Sequence, residues 1–282
     1  MRRRWWALLL AAACVPVAAS FTPPGQMAWH GLRAWLASTS HFTQCTPDPR
    51  VWCEPGAGEL GAAVASMLPA AQQRVEQAFG MPYAAPIHVN VYASDDSFSR
   101  YSGLGSKAAG AVMFGQVHIA ARLQHFPAAR TAAILTHEMA HLHLQQRIGV
   151  LGGARLPNWF WEGLPTYISG GGGAGDTTRA QTVFAFTHGR HLVPEDAGSL
   201  LHPRYAGDYG LSPAMYYSQA ALLIGWMDKQ DPAAFRRMLG AIGHGEDLAP
   251  ALTGAYGRPL AVLWGDFGQA MQRDQDAAWP AR

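Results

Sequence analysis

Between Pro127 and Gly149 the chain is apolar on nearly every side of a helical wheel, so a fold containing this helix must bury it from all round. Pro127 suits the first helical position, which needs no backbone N–H, and Gly149 suits the end. Inside the segment stands His137-Glu138-Met139-Ala140-His141. Histidines four positions apart lie about 40° apart around a helix of 3.6 residues per turn, so both imidazoles can meet one metal ion. Glu138 turns about 100° from His137, beside such an ion, where it can take a proton from water without becoming a ligand. The plainer reading is a core helix with incidental histidines. A third ligand decides between the two.

Asn158-Trp159-Phe160-Trp161-Glu162-Gly163-Leu164 supplies the candidate. Asn158 is expected to cap a short helix that carries Glu162. An acid among so many aromatic residues is costly to bury unless it is paired or bound to metal. Pro165 follows closely; an interior proline removes a backbone bond and bends a helix, which puts the position of Glu162 in question.

These residues resemble the gluzincin metallopeptidases, thermolysin-like in their catalytic core, and within them the short branch in which H-E-x-x-H is followed by W-x-x-E-G-x-x-x-Y. Trp159, Glu162, Gly163 and Tyr167 match the second motif, and the resemblance extends from the helix near Glu59 to the end of the chain. It implies an α+β, zincin-like fold with a small N-terminal sheet, a central metal-binding helix and a helical C-terminal lobe. One domain would cover residues 21–282, with the sheet and metal helix in 21–150 and a mainly helical lobe in 151–282. By the same resemblance His137, His141 and Glu162 bind one Zn2+, Glu138 is the general base, and a peptide or protein is the substrate. Tyr217, in Tyr217-Ser218-Gln219-Ala220, is implied as a phenol donor to the oxyanion, although Tyr216 stands beside it and an aromatic packed under a helix reads equally well. The family parallel also implies that an edge strand of the hairpin before the metal helix receives substrate in extended form. Pro165 departs from the branch, which more often has Ala there. The alternative function is a zinc-stabilised module that holds peptide without cutting it; a third is a metal-free structural protein.

The first twenty residues read as a secretory signal: Arg2, Arg3 and Arg4, an apolar stretch from Trp5 to Val17, then Val17-Ala18-Ala19. That stretch falls short of the roughly 20 residues of a membrane span, and no later segment qualifies, so no transmembrane helix is expected. Export to the periplasm or medium follows, with Cys14 as a possible lipid-anchor site after Ala11-Ala12-Ala13. Removing residues 1–20 takes away three arginines and no acid, turning the formal charge of +2 into about −1; nucleic-acid binding gains no support. Cys45 and Cys53 remain, an even pair expected to form a disulfide. Oligomeric state is left open.

Elsewhere residues 21–58 read as irregular, and Glu59 to Phe79 as an amphipathic helix stopped by Gly80 and Pro82, with a bend expected at Pro69. Ile87 to Tyr92 alternates as a half-buried strand with His88 toward solvent. Ala111 to Phe114 and Val117 to Ala120 read as a hairpin around a type II′ turn at Gly115-Gln116, with His118 on its surface. His143 points away from the shared metal face and reads as structural. His188, His191 and His202 could line a cleft, and the run Gly170 to Gly173 reads as a lid or hinge.

Overall fold

A computed structural model describes residues 39–104, 108–199 and 202–273. The expected signal segment and Cys14 lie outside these. The described chain is α+β, a small five-stranded sheet followed by a long series of helices. Its contacts divide it into two compact units: the described residues up to Ala65 with His88–His125, and Ser66–Ile87 with the chain from Phe126 onward. The helix that carries His137 and His141 therefore groups with the later helices.

The first unit holds β1 (Thr43–Gln44), β2 (Val51–Cys53), β3 (Val89–Val91), α2 (Asp95–Ser102), β4 (Gly110–Met113) and β5 (Gln116–Ile119), together with the start of α1 (Gly58–Phe79). The strand order is β1-β2-β3-β5-β4; β2, β3 and β5 run parallel, and the two edge strands are antiparallel to their neighbours. Strands β1 and β2 fall where irregular structure was expected. The Cys45–Cys53 disulfide, with Cα atoms 5.8 Å apart, joins the end of β1 to β2. It also bears on α1, where a Cβ on Gly61 would lie 1.8 Å from the Cys53 sulfur, so only glycine leaves room.

Central β3 differs from its expected half-buried pattern. Flanked by parallel strands on both sides, it buries Val89, Asn90 and Val91 completely. Asn90 is satisfied within the sheet, donating to Gln116 at 2.7 Å. His88 is half-buried, stacked on Trp52 and hydrogen-bonded to Asn90. The hairpin turn is shifted by one residue: Met113 pairs with Gln116, leaving Phe114 and Gly115 as the two central residues with φ of 53° and 73°. Positive φ at both positions is the mark of type I′, which matches the twist of the strands. His118 is buried, with 3% of its surface exposed, its Nδ1 lying 2.7 Å from the Tyr92 hydroxyl and its Nε2 3.3 Å from the Met113 carbonyl. Tyr92 also belongs to an aromatic core with Phe42 and Phe98.

The second unit contains the rest of α1, then α3 (Ala128–Arg155), α4 (Asn158–Ile168), α5 (Arg179–Thr187), α6 (Pro213–Gln230), α7 (Pro232–Gly243), α8 (Leu248–Tyr256) and α9 (Leu260–Arg273). Every residue of α3 from Ile134 to Leu144 is buried, as its all-round apolar character requires. Helical geometry breaks at Gly149, whose φ of 69° and ψ of 179° separate a short last turn from the main helix. Pro127 precedes α3 as its cap and accepts from the Thr131 amide through its carbonyl. Helix α4 packs on α3 and α6, and Gly163 makes the second contact possible, because a Cβ there would lie 2.7 Å from that of Ala220. No described helix is long and apolar enough to cross a membrane.

Candidate metal centre

Two helices of the second unit bring three donors together. From α3, the Nε2 atoms of His137 and His141 lie 3.1 Å apart. From α4, the Glu162 Oε2 lies 3.5 Å from each of them. A regular tetrahedron with metal–ligand bonds of about 2.0–2.1 Å has edges of about 3.3–3.4 Å. The triangle of donors is thus the right size to form one face around an ion, and the three residues form a group that could hold a metal. The chemistry of the set agrees, since two ring nitrogens and a carboxylate oxygen are each suited to ligate one cation.

Both histidines are buried, and the Glu162 side chain keeps 16% of its surface exposed. Burial by itself pushes the Glu162 carboxyl up, but the charge of His141 and hydrogen bonds from both imidazoles outweigh it and hold the group far below the ordinary carboxylate range. Glu138 is buried beside them without joining the triangle. Loss of water pushes its carboxyl up to about 7, with His137 opposing and the Glu162 charge adding to the rise.

The local sequence explains how α4 presents its carboxylate. Asn158 is the first helical residue and not the cap; Pro157 occupies the cap position, and its carbonyl accepts from the Phe160 and Trp161 amides. Trp159 is fully buried and donates its indole N–H to the Glu195 carbonyl at 2.9 Å, anchoring the first turn. Pro165 lies inside the helix, yet α4 continues to Ile168 and Glu162 reaches both imidazoles. A proline deprives only the carbonyl four residues back of its partner, here that of Trp161, and leaves the Glu162 side chain free to point inward. Tyr167 completes the matched residues by donating to Asp228 of α6 at 2.6 Å, while a Cβ on Gly225 would strike the Tyr167 ring.

Tyr217, on α6, lies with its ring nearly parallel to that of His137, centroids 6.4 Å apart. Burial and the neighbouring Glu162 carboxylate, which its hydroxyl faces, push its phenol well above the ordinary range. Tyr216 is fully buried and stacks on Tyr209. The two adjacent tyrosines are thereby distinguished: Tyr217 faces the donors and Tyr216 fills the core.

Three further residues shape the centre: Thr166, Trp161 and Gly173. Thr166 places its hydroxyl 3.4 Å from the Nδ1 of His137. Trp161 covers the His141 ring at 4.9 Å. Gly173 is pressed against the site, since a Cβ there would lie 2.6 Å from Thr166 Oγ1 and 2.8 Å from both His137 and Tyr217. Gly172 is equally confined, with the Ala133 carbonyl oxygen 2.3 Å from its hypothetical Cβ. The glycine run is therefore a close-packed turn on α3 and not a lid. Spacing places Thr166 one helical turn after Glu162 on the same face, but not beside His137.

The other histidines stand apart from the donors. His143 stacks on Phe79 with centroids 4.1 Å apart, and its Nε2 lies 3.0 Å from the Met81 carbonyl, a structural arrangement. His188 stacks on Phe184, His191 packs between Phe186 and Trp264, and His202 is exposed; none belongs to the metal-binding group. No protein-family model matches the chain, and no curated protein matches it, so the centre is read from its own residues.

Proposed function

We propose that this chain is a zinc-dependent hydrolase of peptide bonds, with His137, His141 and Glu162 holding one Zn2+, Glu138 as general base and Tyr217 as oxyanion donor. The observation that carries the reading is the convergence of two imidazoles and one carboxylate on a triangle of tetrahedral size, with a second acidic group beside it. Two histidines and a glutamate are a catalytic zinc set that keeps one position open. Zinc, when bound, supplies Lewis acidity that brings the pKa of water toward neutrality and polarises a carbonyl.

Glu138 takes the proton of the attacking water and delivers it to the leaving amine, which is what amide cleavage needs at neutral pH. Its place on α3, one residue from His137, holds the carboxylate beside the donors without adding a fourth ligand. Tyr217 presents an O–H on the Glu162 side of the centre, suited to the oxygen that gains charge in the transition state. Trp161 and Gly173 cover the two imidazoles and keep them out of water. The Cys45–Cys53 bond supports an oxidising, extracytoplasmic compartment.

The test is cleavage of a peptide library by zinc-loaded protein, with Glu138→Gln as control and zinc content measured on both. Loss of a general base is expected to slow cleavage by about 10²–10⁴-fold while the variant keeps its zinc. Equal turnover by the variant would remove Glu138 from the mechanism. Peptide binding without cleavage by the wild type would favour the non-catalytic binding module instead.

A further inference from the structure

We propose that Thr166 is the positioning residue of the metal centre, holding His137 in the tautomer that offers its Nε2 lone pair to the ion. The inference rests on the metal-centre reading and adds a role for a residue outside the ligand set. Three other helical threonines spend their hydroxyls on their own helix: Thr136, Thr182 and Thr187 each donate to the carbonyl four residues back, at 2.8, 2.9 and 2.9 Å. Thr166, buried on α4, instead turns its hydroxyl to the Nδ1 of His137. A histidine that binds metal through Nε2 carries its proton on Nδ1, and that proton needs an acceptor to fix the ring. The Thr166 oxygen is the acceptor in place.

The surrounding turn is built to hold it there. The Thr166 carbonyl accepts from the Ser169 hydroxyl at 3.1 Å and from the Gly171 amide at 2.8 Å, and the Ser169 hydroxyl in turn accepts from the Gly172 amide. Gly173 then packs against the Thr166 hydroxyl and the His137 ring together. This bonding gives the run from Gly170 to Gly173 its purpose: it clamps the residue that clamps the ligand. The second imidazole has no such partner, because the buried Nδ1 of His141 meets no hydrogen-bonding group among the described residues. Among the described residues Thr166 is consequently the one side chain hydrogen-bonded to the Nδ1 of either imidazole, and it bonds through a neutral hydroxyl where a carboxylate would bind the Nδ1 proton more strongly.

Zinc affinity measured by competition with a chromophoric chelator, on the full chain, tests the role without reference to activity. Thr166→Val keeps the shape and removes the acceptor; it is expected to weaken zinc binding by about 10–100-fold, the range for partners of metal-bound histidines. Thr166→Ser should return the affinity toward the wild-type value, which a purely packing role for the methyl group would not allow. Thr166→Ala should show the same loss as Val, guarding against a Val-specific packing defect. In zinc-loaded protein, ring 15N NMR should show a protected His137 Nδ1–H in the wild type and the Ser variant, and a solvent-exchanging one in the Val variant. Wild-type affinity in both Thr166→Val and Thr166→Ala overturns the proposal. His141→Ala separates the two readings: zinc bound by wild type and lost in His141→Ala upholds the centre whatever Thr166 does, and no zinc in the wild type brings down both.

Discussion

Two buried histidine sites, one in each unit, show how the same side chain can be a finished piece of core or an incomplete one. His118 has both ring nitrogens matched, one by Tyr92 and one by the Met113 carbonyl. Its burial holds the imidazole neutral, with a pKa lowered to about 4. His137 and His141 are as deeply buried, yet their Nε2 atoms face each other at 3.1 Å with a carboxylate oxygen closing the triangle. A satisfied histidine needs nothing further, whereas three donor atoms gathered at one point form a group that could hold a cation. Burial alone does not separate the cases; the direction of the nitrogens does.

The largest effect expected, apart from the loss of catalysis in Glu138→Gln, lies at His118. Its folded pKa stands below the ordinary 6.5, so between pH 6.5 and 4 the unfolded chain takes up a proton that the folded chain refuses. Stability is therefore full above pH 6.5 and falls as the pH drops toward 4, by about 3 kcal/mol for a shift of this size. Urea unfolding of wild type and His118→Asn across this window should show the steeper loss in the wild type; parallel curves would mean that His118 protonates freely.

At the other site stability should follow the ion. Zinc at about 100 times its dissociation constant adds about 2.7 kcal/mol to the free energy of unfolding. Thermal melts with and without a chelator measure it, and in His141→Ala the two melts should coincide. If His137 and His141 were as self-sufficient as His118, zinc would leave the wild-type melt unmoved.

Gly173→Ala should cost about 1–3 kcal/mol, the usual range for forcing a methyl group into closed packing, and should lower zinc affinity because His137 or Tyr217 must shift. Chelator competition and urea unfolding together check it; a variant with wild-type zinc affinity would show that the turn yields without disturbing the ligand. The smallest effect is expected for Tyr92→Phe. It removes one partner of His118 Nδ1 and should destabilise by about 1 kcal/mol, at the low end for an unsatisfied buried group, as measured by the urea midpoint.

Helical periodicity made α1 and α3 legible beforehand, since a helix records its buried face locally, within one or two turns, whereas α5, α7, α8 and α9 were covered only by the helical lobe that the resemblance implied. The 40° offset of His137 and His141 and the stop at Gly149 are of this kind. Sheet neighbours are not local, so in the first unit the hairpin strands and the disulfide match expectation while the burial of β3 and His118 and the position of the turn do not. Ile87 to Tyr92 alternates like a strand with one wet face, but parallel neighbours on both sides leave β3 no wet face, and Asn90 is accommodated by the Gln116 side chain. His118 was read as exposed because nothing nearby in sequence reveals that Tyr92 lies beside it. The turn slipped from Gly115-Gln116 to Phe114-Gly115 because cross-strand register, and not the glycine alone, selects its type.

The sequence by itself determined the buried helix, the shared face of its two histidines and the adjacent position of Glu138, because these follow from helical spacing, and it made Glu162 a candidate through its spacing, the cost of an unpaired acid among aromatics and the family resemblance together. Tertiary structure alone decided that Pro165 leaves Glu162 in reach of both imidazoles, that Tyr217 and not Tyr216 faces the donors, and that a glycine turn and Thr166 stand behind His137. Those outcomes depend on where α4 packs against α3 and α6. Distances across a helix interface are set by which side chains are absent, as at Gly163 and Gly173, as much as by those present.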